Sequence, residues 1–199
     1  RMERKICDRT DAIVSISPNI REDIDLIGDY SEKIYDISNG VDIHRFTPTD
    51  DKYPEFTVHF QGRLVDMKNP MVLIDALALA EEDWQLTIGG DGPLRGQLAE
   101  RSRSAGVKDR VTFLGYVPDD KLPGRYARSH VYVLPSDYEG MPLTVLEAAA
   151  SGTALIVSER AATDFVDDSM GRIVAPDPRE IADNIDDLAR NPTRTIAMG

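Results

Sequence analysis

Short apolar runs alternate with segments of helical spacing along most of the chain. The runs that predict buried strands lie at 11–16, 33–37, 56–62, 84–89, 111–115, 130–134, 154–157 and 172–174. The segments that predict helices lie at 18–28, 70–80, from the turn at 90–93 to about 106, at 118–129, from about 142, and at 178–189. Strand and helix patterns that alternate in this way are typical of parallel βαβ units. The sequence therefore predicts an α/β fold, with a doubly wound parallel sheet and helices on both faces.

Three segments depart from this alternation. The turn signal at 38–40 leads into 41–55, which has no clean periodicity and predicts a connection between two structural units. Pro123 and Gly124 are expected to weaken the helix at 118–129. The chain ends at Met198-Gly199 without an obvious closing element.

Composition predicts one domain with an aliphatic core. The chain has 199 residues, of which 41% are hydrophobic and only 7% aromatic. The most apolar helical segment, 71–80, contains Asp75 and is shorter than the ~20 residues that cross a bilayer, so it predicts a buried helix. The N-terminal residues form no apolar signal segment, and the single Cys7 excludes an internal disulfide framework. Both features indicate a cytoplasmic location.

The net charge of −12 argues against nucleic acid as a partner, because binding to a phosphate backbone depends on a basic surface. Any phosphate bound by this chain therefore needs a local basic site. An acidic surface also confers solubility, and adaptation to high salt is an open alternative.

Two carboxylates flank a predicted helix start in the stretch 136–151. Pro142 suits a first helical position, and Gly140 is expected to adopt a backbone conformation closed to other residues. Glu139 then precedes the helix, whereas Glu147 lies within it, about 8 Å further along at ~1.5 Å per residue. The free N–H groups at 140–144 favour an anion. The sequence thus predicts a phosphate site between two acids, although each acid alone is equally typical of a capped or solvated helix.

A second candidate lies in the predicted strand-to-helix loop that follows 56–62. It holds Arg63 and Lys68, which together suit a diphosphate. Ligands bind beyond the carboxyl ends of strands in open parallel sheets. This position favours a binding role over that of two ordinary surface bases.

Other candidate motifs are weaker. The GGDGP segment at 89–93 resembles half of a dinucleotide fingerprint, but a tight turn explains it better. His44, His59 and His130 show no metal-ligand spacing, so we expect no metal site, and the two histidines in strands are interpreted as structural. The chain also lacks a GxxxxGK[ST] phosphate-binding loop.

Five segments occur in the order in which one enzyme family shows them. They are SNGVDIHRF at 38–46, GRLVDMKNP at 62–70, GGDGP at 89–93, VTFLGYVPDDKL at 111–122 and PSDYEGMPLTVLEAAASG at 135–152. Together they resemble the C-terminal, donor-binding half of glycosyltransferase family 4 enzymes, also called group 1 glycosyltransferases. The most specific feature is the pair Glu139 and Glu147, combined with the Arg63 and Lys68 loop.

This resemblance implies one Rossmann-like half of a GT-B fold and the retaining, metal-independent transfer of a hexose from a nucleotide-diphosphate sugar. It implies catalytic roles for Arg63 and Lys68 at the diphosphate and for Glu139 at the hexose. Glu147 would hold the ribose hydroxyls. The implied donor-binding residues are Gly62, Arg63, Lys68, Tyr116, Val117, Glu139, Gly140, Met141, Pro142, Leu143, Thr144 and Glu147.

The resemblance also implies a division of the chain. Residues 1–37 resemble the tail of an acceptor domain, 38–55 an interdomain connection, and 56–199 the donor-binding domain. The rest of the acceptor domain is expected outside this chain, so the piece alone would bind donor without transferring sugar. No cofactor is expected.

The acceptor, which is a glycan, a lipid or a small molecule, would bind through that outside domain. The same domain would provide any peripheral attachment to a membrane, and the pathway would be the synthesis of a cell-surface polysaccharide or another glycan. One departure from the family pattern, RAATD at 160–164, puts a different segment where a glycine-rich one is usual. A GT-B-like sugar-nucleotide epimerase and a non-catalytic nucleotide-sugar-binding module are the alternatives.

Overall fold

The structure is a computed structural model that describes residues 2–162 and 165–199. Its helices are α1 Met2–Arg9, α2 Pro18–Ile27, α3 Met71–Leu79, α4 Arg95–Ser104, α5 Leu122–Arg128, α6 Leu143–Ala150, α7 Pro178–Arg190 and α8 Pro192–Met198. Its strands are β1 Ile13–Ser15, β2 Ile34–Asp36, β3 Thr57–Gln61, β4 Gln85–Gly89, β5 Val111–Gly115, β6 Val131–Leu134, β7 Ala154–Ser158 and β8 Gly171–Val174. Among the described residues, no helix is both long and apolar enough to cross a bilayer.

Six of the strands form one parallel sheet in the order β5-β4-β3-β6-β7-β8. The chain builds outward from β3 to β5 on one side and then returns to build outward from β6 to β8 on the other. The order therefore reverses between β3 and β6, which are neighbours. This arrangement confirms the doubly wound α/β sheet, and the point of reversal is where such sheets open a ligand crevice.

Two helical layers cover the sheet. The first layer consists of α3, α4 and α7, which pack on one another, and the second consists of α5 and α6. Side chains alternate along a strand, so Val58 and Phe60 face one layer and His59 the other. The His59 ring meets the ring of Tyr126 on α5 edge to face, with centroids 5.6 Å apart. His59 therefore belongs to the second layer, and the apolar side chains of β3 belong to the first.

Helix α3 confirms the buried apolar helix that the sequence predicts. It buries Val72, Leu73, Ile74, Ala76 and Leu77. Its start differs from the prediction. Asn69 adopts a left-handed conformation with φ 49° and ends a short 3-10 turn at Asp66–Lys68, while Pro70 occupies the N-cap.

Two further predictions about helices need correction, and one helix was not predicted. The chain does have a closing element, because α8 begins at Pro192 and Thr195 Oγ1 donates to the Leu188 carbonyl of α7 at 2.7 Å. Helix α1 carried no clear sequence signal. Pro123 does not weaken α5, because it lies in the first turn, where a missing N–H costs nothing.

The segment 2–37 forms a separate unit, defined here as the N-terminal unit. Its strands β1 and β2 pair in parallel with each other and not with the large sheet. Tyr30 is buried there, and its hydroxyl donates to Asp8 Oδ1 at 2.7 Å. The assignment of this unit to an acceptor domain stays a prediction.

The connection 38–55 packs closely on residues 56–199, defined here as the main domain. Phe46 is buried in the core, and Lys52 Nζ donates to the carbonyls of Ala127, Ser129 and Gly152 at 2.8–3.2 Å. Burial lowers the pKa of the Lys52 ammonium. The connection thus holds a fixed position beside α5 and α6.

Candidate functional site

The loops that follow β3 and β6 meet at the point where the strand order reverses. The Asp137 N–H donates to the Met67 carbonyl at 2.9 Å and joins the two loops. Across the same junction, Lys68 Nζ donates to Glu139 Oε1. Two of the three residues predicted to be catalytic are therefore in direct contact.

This ion pair is largely shielded from water. The Lys68 and Glu139 side chains are only 17% and 10% exposed. Ser136 Oγ donates to the same carboxylate oxygen at 2.6 Å, and the Glu139 N–H donates to the Arg160 carbonyl at 3.1 Å. Glu139 is thus neither a solvated loop acid nor a helix cap, so the two ordinary explanations for an acid near a helix start do not apply to it.

Arg63 shares the loop with Lys68 but differs in its surroundings. Its side chain is exposed and makes no ion pair with any residue that the structure describes. It lies just past the C-terminal end of β3, where it can take an anion without giving up another partner.

The GGDGP turn at 89–93 packs against the backbone of the loop that holds Arg63. Gly90 has φ 117°, and a Cβ there would lie 1.8 Å from the Gly62 carbonyl oxygen. The Leu64 N–H donates to the Asp91 carbonyl at 2.9 Å. The tight-turn interpretation of this segment is confirmed, because only glycine allows the two backbones to approach so closely.

Gly140 does not adopt the conformation that the sequence predicts. It is not among the glycines with positive φ. A Cβ at Gly140 would instead approach Ile20 Cδ1 of α2 to 3.3 Å, which is tighter than an ordinary contact. Asn39 Nδ2 also donates to the Met141 carbonyl at 3.1 Å. The N-terminal unit and the connection therefore pack on this loop and fix its shape.

Helix α6 begins near Pro142, as predicted, but Pro142 precedes the helix instead of taking its first position. Pro142 is the N-cap, with φ −73° and ψ 114°, and Leu143 is the first helical residue. Leu143 is 51% exposed, and Thr144 lies beside it at intermediate exposure. The backbone from 140 to 144 thus directly follows Glu139 of the ion pair, and its role in binding an anion stays a prediction.

Glu147 lies one turn further along α6 and is half-buried. Its Oε2 accepts a hydrogen bond from the hydroxyl of Tyr126 at 3.0 Å. Burial raises the pKa of the Glu147 carboxyl and Asp119 adds to this, whereas the Tyr126 hydrogen bond and the Arg45 charge act in the opposite direction. Sequence reasoning missed Tyr126, since a tyrosine in an amphipathic helix carries no sign of its partner.

Tyr132 lies beneath the site. It is fully buried in β6, and its hydroxyl donates to the Gln61 carbonyl at 3.3 Å. Burial raises the pKa of this hydroxyl. Tyr132 on β6 thereby bonds to the end of β3, which leads to Gly62.

Tyr116 and Val117 follow β5 at the same edge of the sheet. Tyr116 is 76% exposed, whereas Val117 is buried. The Gly90 N–H donates to the Gly115 carbonyl at 2.7 Å, which ties this loop to the GGDGP turn. An exposed aromatic ring beside backbone amides is suited to a flat ring such as a nucleobase.

A cavity of about 880 Å³ lies between the N-terminal unit and the main domain. Its polar wall includes Arg21, Asp36 and Glu159, and it shares only Met141 with the predicted donor residues. The unusual RAATD segment lies close to it. Thr163 and Asp164 of that segment fall outside the described residues.

No group of three or more His, Cys, Asp or Glu side chains within 2–162 and 165–199 is arranged to hold a metal ion. The two histidines in the main domain are buried. His130 Nδ1 accepts from the Thr57 N–H at 3.1 Å, and His59 Nδ1 lies 2.8 Å from Thr87 Oγ1. Burial lowers the pKa of His59 to about 3 and that of His130 to about 4, so both are neutral near pH 7 and serve the structure.

Comparison with known proteins bears directly on this site. A family model described as "Glycosyl transferases group 1" matches residues 55–191, which include every predicted donor residue. Mannosylfructose-phosphate synthase of Agrobacterium fabrum is 34% identical over 172 residues, covering 74% of this chain and 37% of the relative. The GDP-mannose-dependent alpha-(1-6)-phosphatidylinositol monomannoside mannosyltransferase of Mycobacterium tuberculosis is 29% identical, covering 98% of this chain and 57% of the relative.

Among solved structures, sucrose-phosphate synthase from Thermosynechococcus elongatus superposes with a TM-score of 0.86 at 27% identity. That match covers 98% of this chain and 53% of the other chain. The present chain thus spans between 37% and 57% of the length of these three relatives.

Proposed function

The chain belongs to the group 1 glycosyltransferases, and we propose that its residues 56–199 bind a nucleotide-diphosphate sugar as the donor for hexosyl transfer. The observation that carries the proposal is the contact between Lys68 and Glu139 at the reversal point of the sheet. It sets a cation suited to phosphate beside an acid suited to sugar hydroxyls, in a partly desolvated position. An ordinary surface ion pair has no such location.

Arg63 and Lys68 bind the diphosphate in this proposal. Arg63 is exposed and carries a planar fork of donors, whereas Lys68 approaches from the same loop as a point charge. Their positive charges stabilise the negative charge that develops on the leaving nucleoside diphosphate. This stabilisation takes the place of a metal ion.

The remaining residues orient the rest of the donor. Glu147 binds the ribose hydroxyls, Glu139 binds the hexose, and the loop at Tyr116 and Val117 meets the base. The backbone amides at 140–144 contact the phosphates and the sugar. The Mycobacterium tuberculosis relative is a GDP-mannose-dependent mannosyltransferase, which supports a nucleotide-sugar donor for this chain.

The reaction exchanges one bond for another at the anomeric carbon with retention of configuration. The bond from this carbon to the diphosphate oxygen breaks, and a bond to an acceptor oxygen forms. The acceptor hydroxyl gives up its proton, and the nucleoside diphosphate leaves. The acceptor is a glycan, a lipid or a small molecule that binds outside residues 56–199.

Thermal shift with UDP, GDP and ADP in excess EDTA tests the proposal. A ligand at 100 times its Kd adds about 2.7 kcal/mol of stability, which for a chain of this size corresponds to a rise in Tm of roughly 5–10 °C. We expect one of the three nucleotides to give such a rise without metal. If none does so at saturating concentration, the proposed function is wrong.

Variants then locate the site. The double variant Arg63→Ala/Lys68→Ala should weaken the best nucleotide by about 100-fold or more, since each hydrogen bond to a charged group contributes roughly 1.5–3 kcal/mol. Arg103→Ala/Lys108→Ala is the matched control, because it removes the same charges from exposed positions on α4 and the turn after it. Equal affinity in the two double variants would contradict the assignment of the diphosphate site.

A further inference from the structure

Tyr126 stands outside every predicted role, yet it makes the one hydrogen bond that the structure gives to the Glu147 side chain among the described residues. It lies on α5 and is completely buried. Its hydroxyl donates to Glu147 Oε2 at 3.0 Å, which leaves Oε1 for another partner. The protein thus binds one oxygen of the carboxylate, and the other oxygen is left for a ligand in the open site.

The tyrosine ring is fixed from three sides. Its centroid lies 5.5 Å from that of Tyr132, 5.6 Å from that of His59 and 6.1 Å from that of Phe46, all at steep interplanar angles. Its backbone is also held, because Thr153 Oγ1 donates to the Tyr126 carbonyl at 2.7 Å. A donor held this rigidly fixes the rotamer of the acid that accepts from it.

Arg45 approaches the same acid from the connection 38–55. Its Nη2 donates to the Asp119 carbonyl at 2.5 Å, and its guanidinium lies 4.9 Å from the centroid of the Phe46 ring. The charged or titratable groups facing Glu147 are therefore Tyr126 on α5, Tyr132 on β6, Arg45, and Asp119 in the turn before α5. Tyr126 and Arg45 favour the ionised acid, whereas burial and Asp119 oppose it.

We propose that Tyr126 is a positioning residue, whose buried hydroxyl holds Glu147 so that its free oxygen binds the vicinal diol of the donor ribose. This inference rests on the proposed function. A sugar diol donates two hydrogen bonds, and it binds an ionised carboxylate of fixed orientation better than a neutral or mobile one. Tyr126 provides both the orientation and part of the stabilisation of the charge.

The test compares two ligands in two proteins. The ligands are the nucleoside diphosphate that binds best among UDP, GDP and ADP, and its 2′,3′-dideoxy analogue, which lacks the diol. We expect Tyr126→Phe to weaken the ribonucleotide about 5- to 20-fold, because Glu147 loses the hydrogen bond that orients it before the diol binds. The same variant should change the affinity of the dideoxy analogue by less than about twofold, as measured by titration calorimetry. Equal losses for both ligands would mean that Tyr126 acts only through general stability, and the proposal would fall.

Affinity as a function of pH gives a second readout. Without its hydroxyl donor, the Glu147 carboxyl has a higher pKa, so the variant should lose ribonucleotide affinity at a higher pH than the wild type as the solution is acidified. A merely structural role predicts parallel pH profiles, and that result would count against the proposal.

Tyr30→Phe is the matched control. Tyr30 is also a buried tyrosine whose hydroxyl donates to a carboxylate, that of Asp8, but it lies in the N-terminal unit. It should leave both affinities unchanged.

Glu147→Gln is the second variant and is needed if Tyr126→Phe does not fold. It keeps an acceptor for Tyr126 and should abolish the preference for the ribonucleotide over the dideoxy analogue. A preference that persists in Glu147→Gln would overturn the inference while leaving diphosphate binding intact. A wild-type chain that binds no nucleotide would refute the proposed function itself.

Discussion

The two helical layers on the six-stranded sheet bury different kinds of side chains. Toward the first layer, β3 and β4 present Val58, Phe60, Leu86 and Ile88, all completely buried. Toward the second layer, the same strands present polar side chains, among them His59 and Thr87, which lie against Tyr126 or each other. In β3 and β4, one face of the sheet is therefore apolar and the other is polar.

The two faces therefore contribute differently to the stability of the fold and to the shape of the functional site. Apolar burial stabilises by about 25 cal/mol per Å², whereas a buried polar group costs free energy unless it is hydrogen-bonded. The polar side chains that face the second layer make several such bonds, and some of these lead toward the site, whereas His59 Nε2 and Gln61 Oε1 are buried without a partner among the described residues. Tyr126 supports Glu147, and the Tyr132 hydroxyl donates to the Gln61 carbonyl. The first layer stabilises the fold, while the second also shapes the functional surface.

One residue breaks the pattern in the first layer, and it gives the largest expected effect. Asp186 on α7 is buried and accepts from the Glu81 N–H, the Glu82 N–H and Trp84 Nε1 at 2.8–3.2 Å. Asp186→Ala leaves these donors unpaired, so we expect it to lower the free energy of unfolding by roughly 3–5 kcal/mol in urea titration.

Asp183→Ala on the same helix is the control for this effect. Asp183 is exposed and makes only a 3.7 Å pair with Arg179, so its loss should cost less than about 0.5 kcal/mol. A cost for Asp186→Ala as small as that of the control would mean that the buried acid is not structural.

The protein should lose folding stability in acid because of His59, which lies on the polar face. Burial lowers its pKa from 6.5 to about 3, with the Arg125 charge acting in the same direction. The unfolded chain then binds a proton that the folded chain excludes, so stability is complete above pH 6.5 and falls as the pH drops toward 3. We expect His59→Gln to remove about 2 kcal/mol of the loss seen between pH 6.5 and 5, in urea titrations at each pH.

His130 and His44 provide comparisons for the His59→Gln result. His130, with a pKa of about 4, retains its own share of the acid loss in the variant. His44→Gln, at an exposed position of the connection 38–55, is the control variant. If His59→Gln keeps the wild-type pH dependence, then His59 is accessible to protons and the polar face is not closed.

The smallest expected effect tests whether Glu147 serves the site or stabilises the fold. Burial raises the pKa of Glu147 above its value of 4.5 in the unfolded chain, so stability is lost as the pH rises through the folded pKa. At neutral pH the ionised acid therefore opposes folding. Glu147→Gln should raise Tm by at most roughly 2–4 °C in calorimetry, because the half-buried group retains part of its hydration.

Glu22→Gln, at an exposed position of α2, should leave Tm unchanged and serves as the control. The gain from Glu147→Gln should also vanish below pH 4.5. A fall in Tm at neutral pH would show that Glu147 stabilises the fold, contrary to the contrast between the two layers.

The amino-acid sequence by itself determined the order of strands and helices in the main domain. Periodicity is a local property, and the apolar runs at 56–62 and 130–134 are readable without any partner. The same local signals placed Arg63 and Lys68 after a strand and Glu147 within a helix. They missed α1 and α8 and wrongly weakened α5 at Pro123, because short helices at the ends of segments depend on their packing.

Only the tertiary structure decided which of these residues meet. Lys68 and Glu139 are 71 positions apart, Tyr126 and Glu147 are 21 apart, and Trp84 and Asp186 are 102 apart. These contacts depend on the strand order β4-β3-β6, which no local period encodes. Gly140 shows the same limit, because its close neighbour is Ile20 on another unit rather than its own backbone. Local sequence sets which elements form, and the sheet order sets which chemistry they bring together.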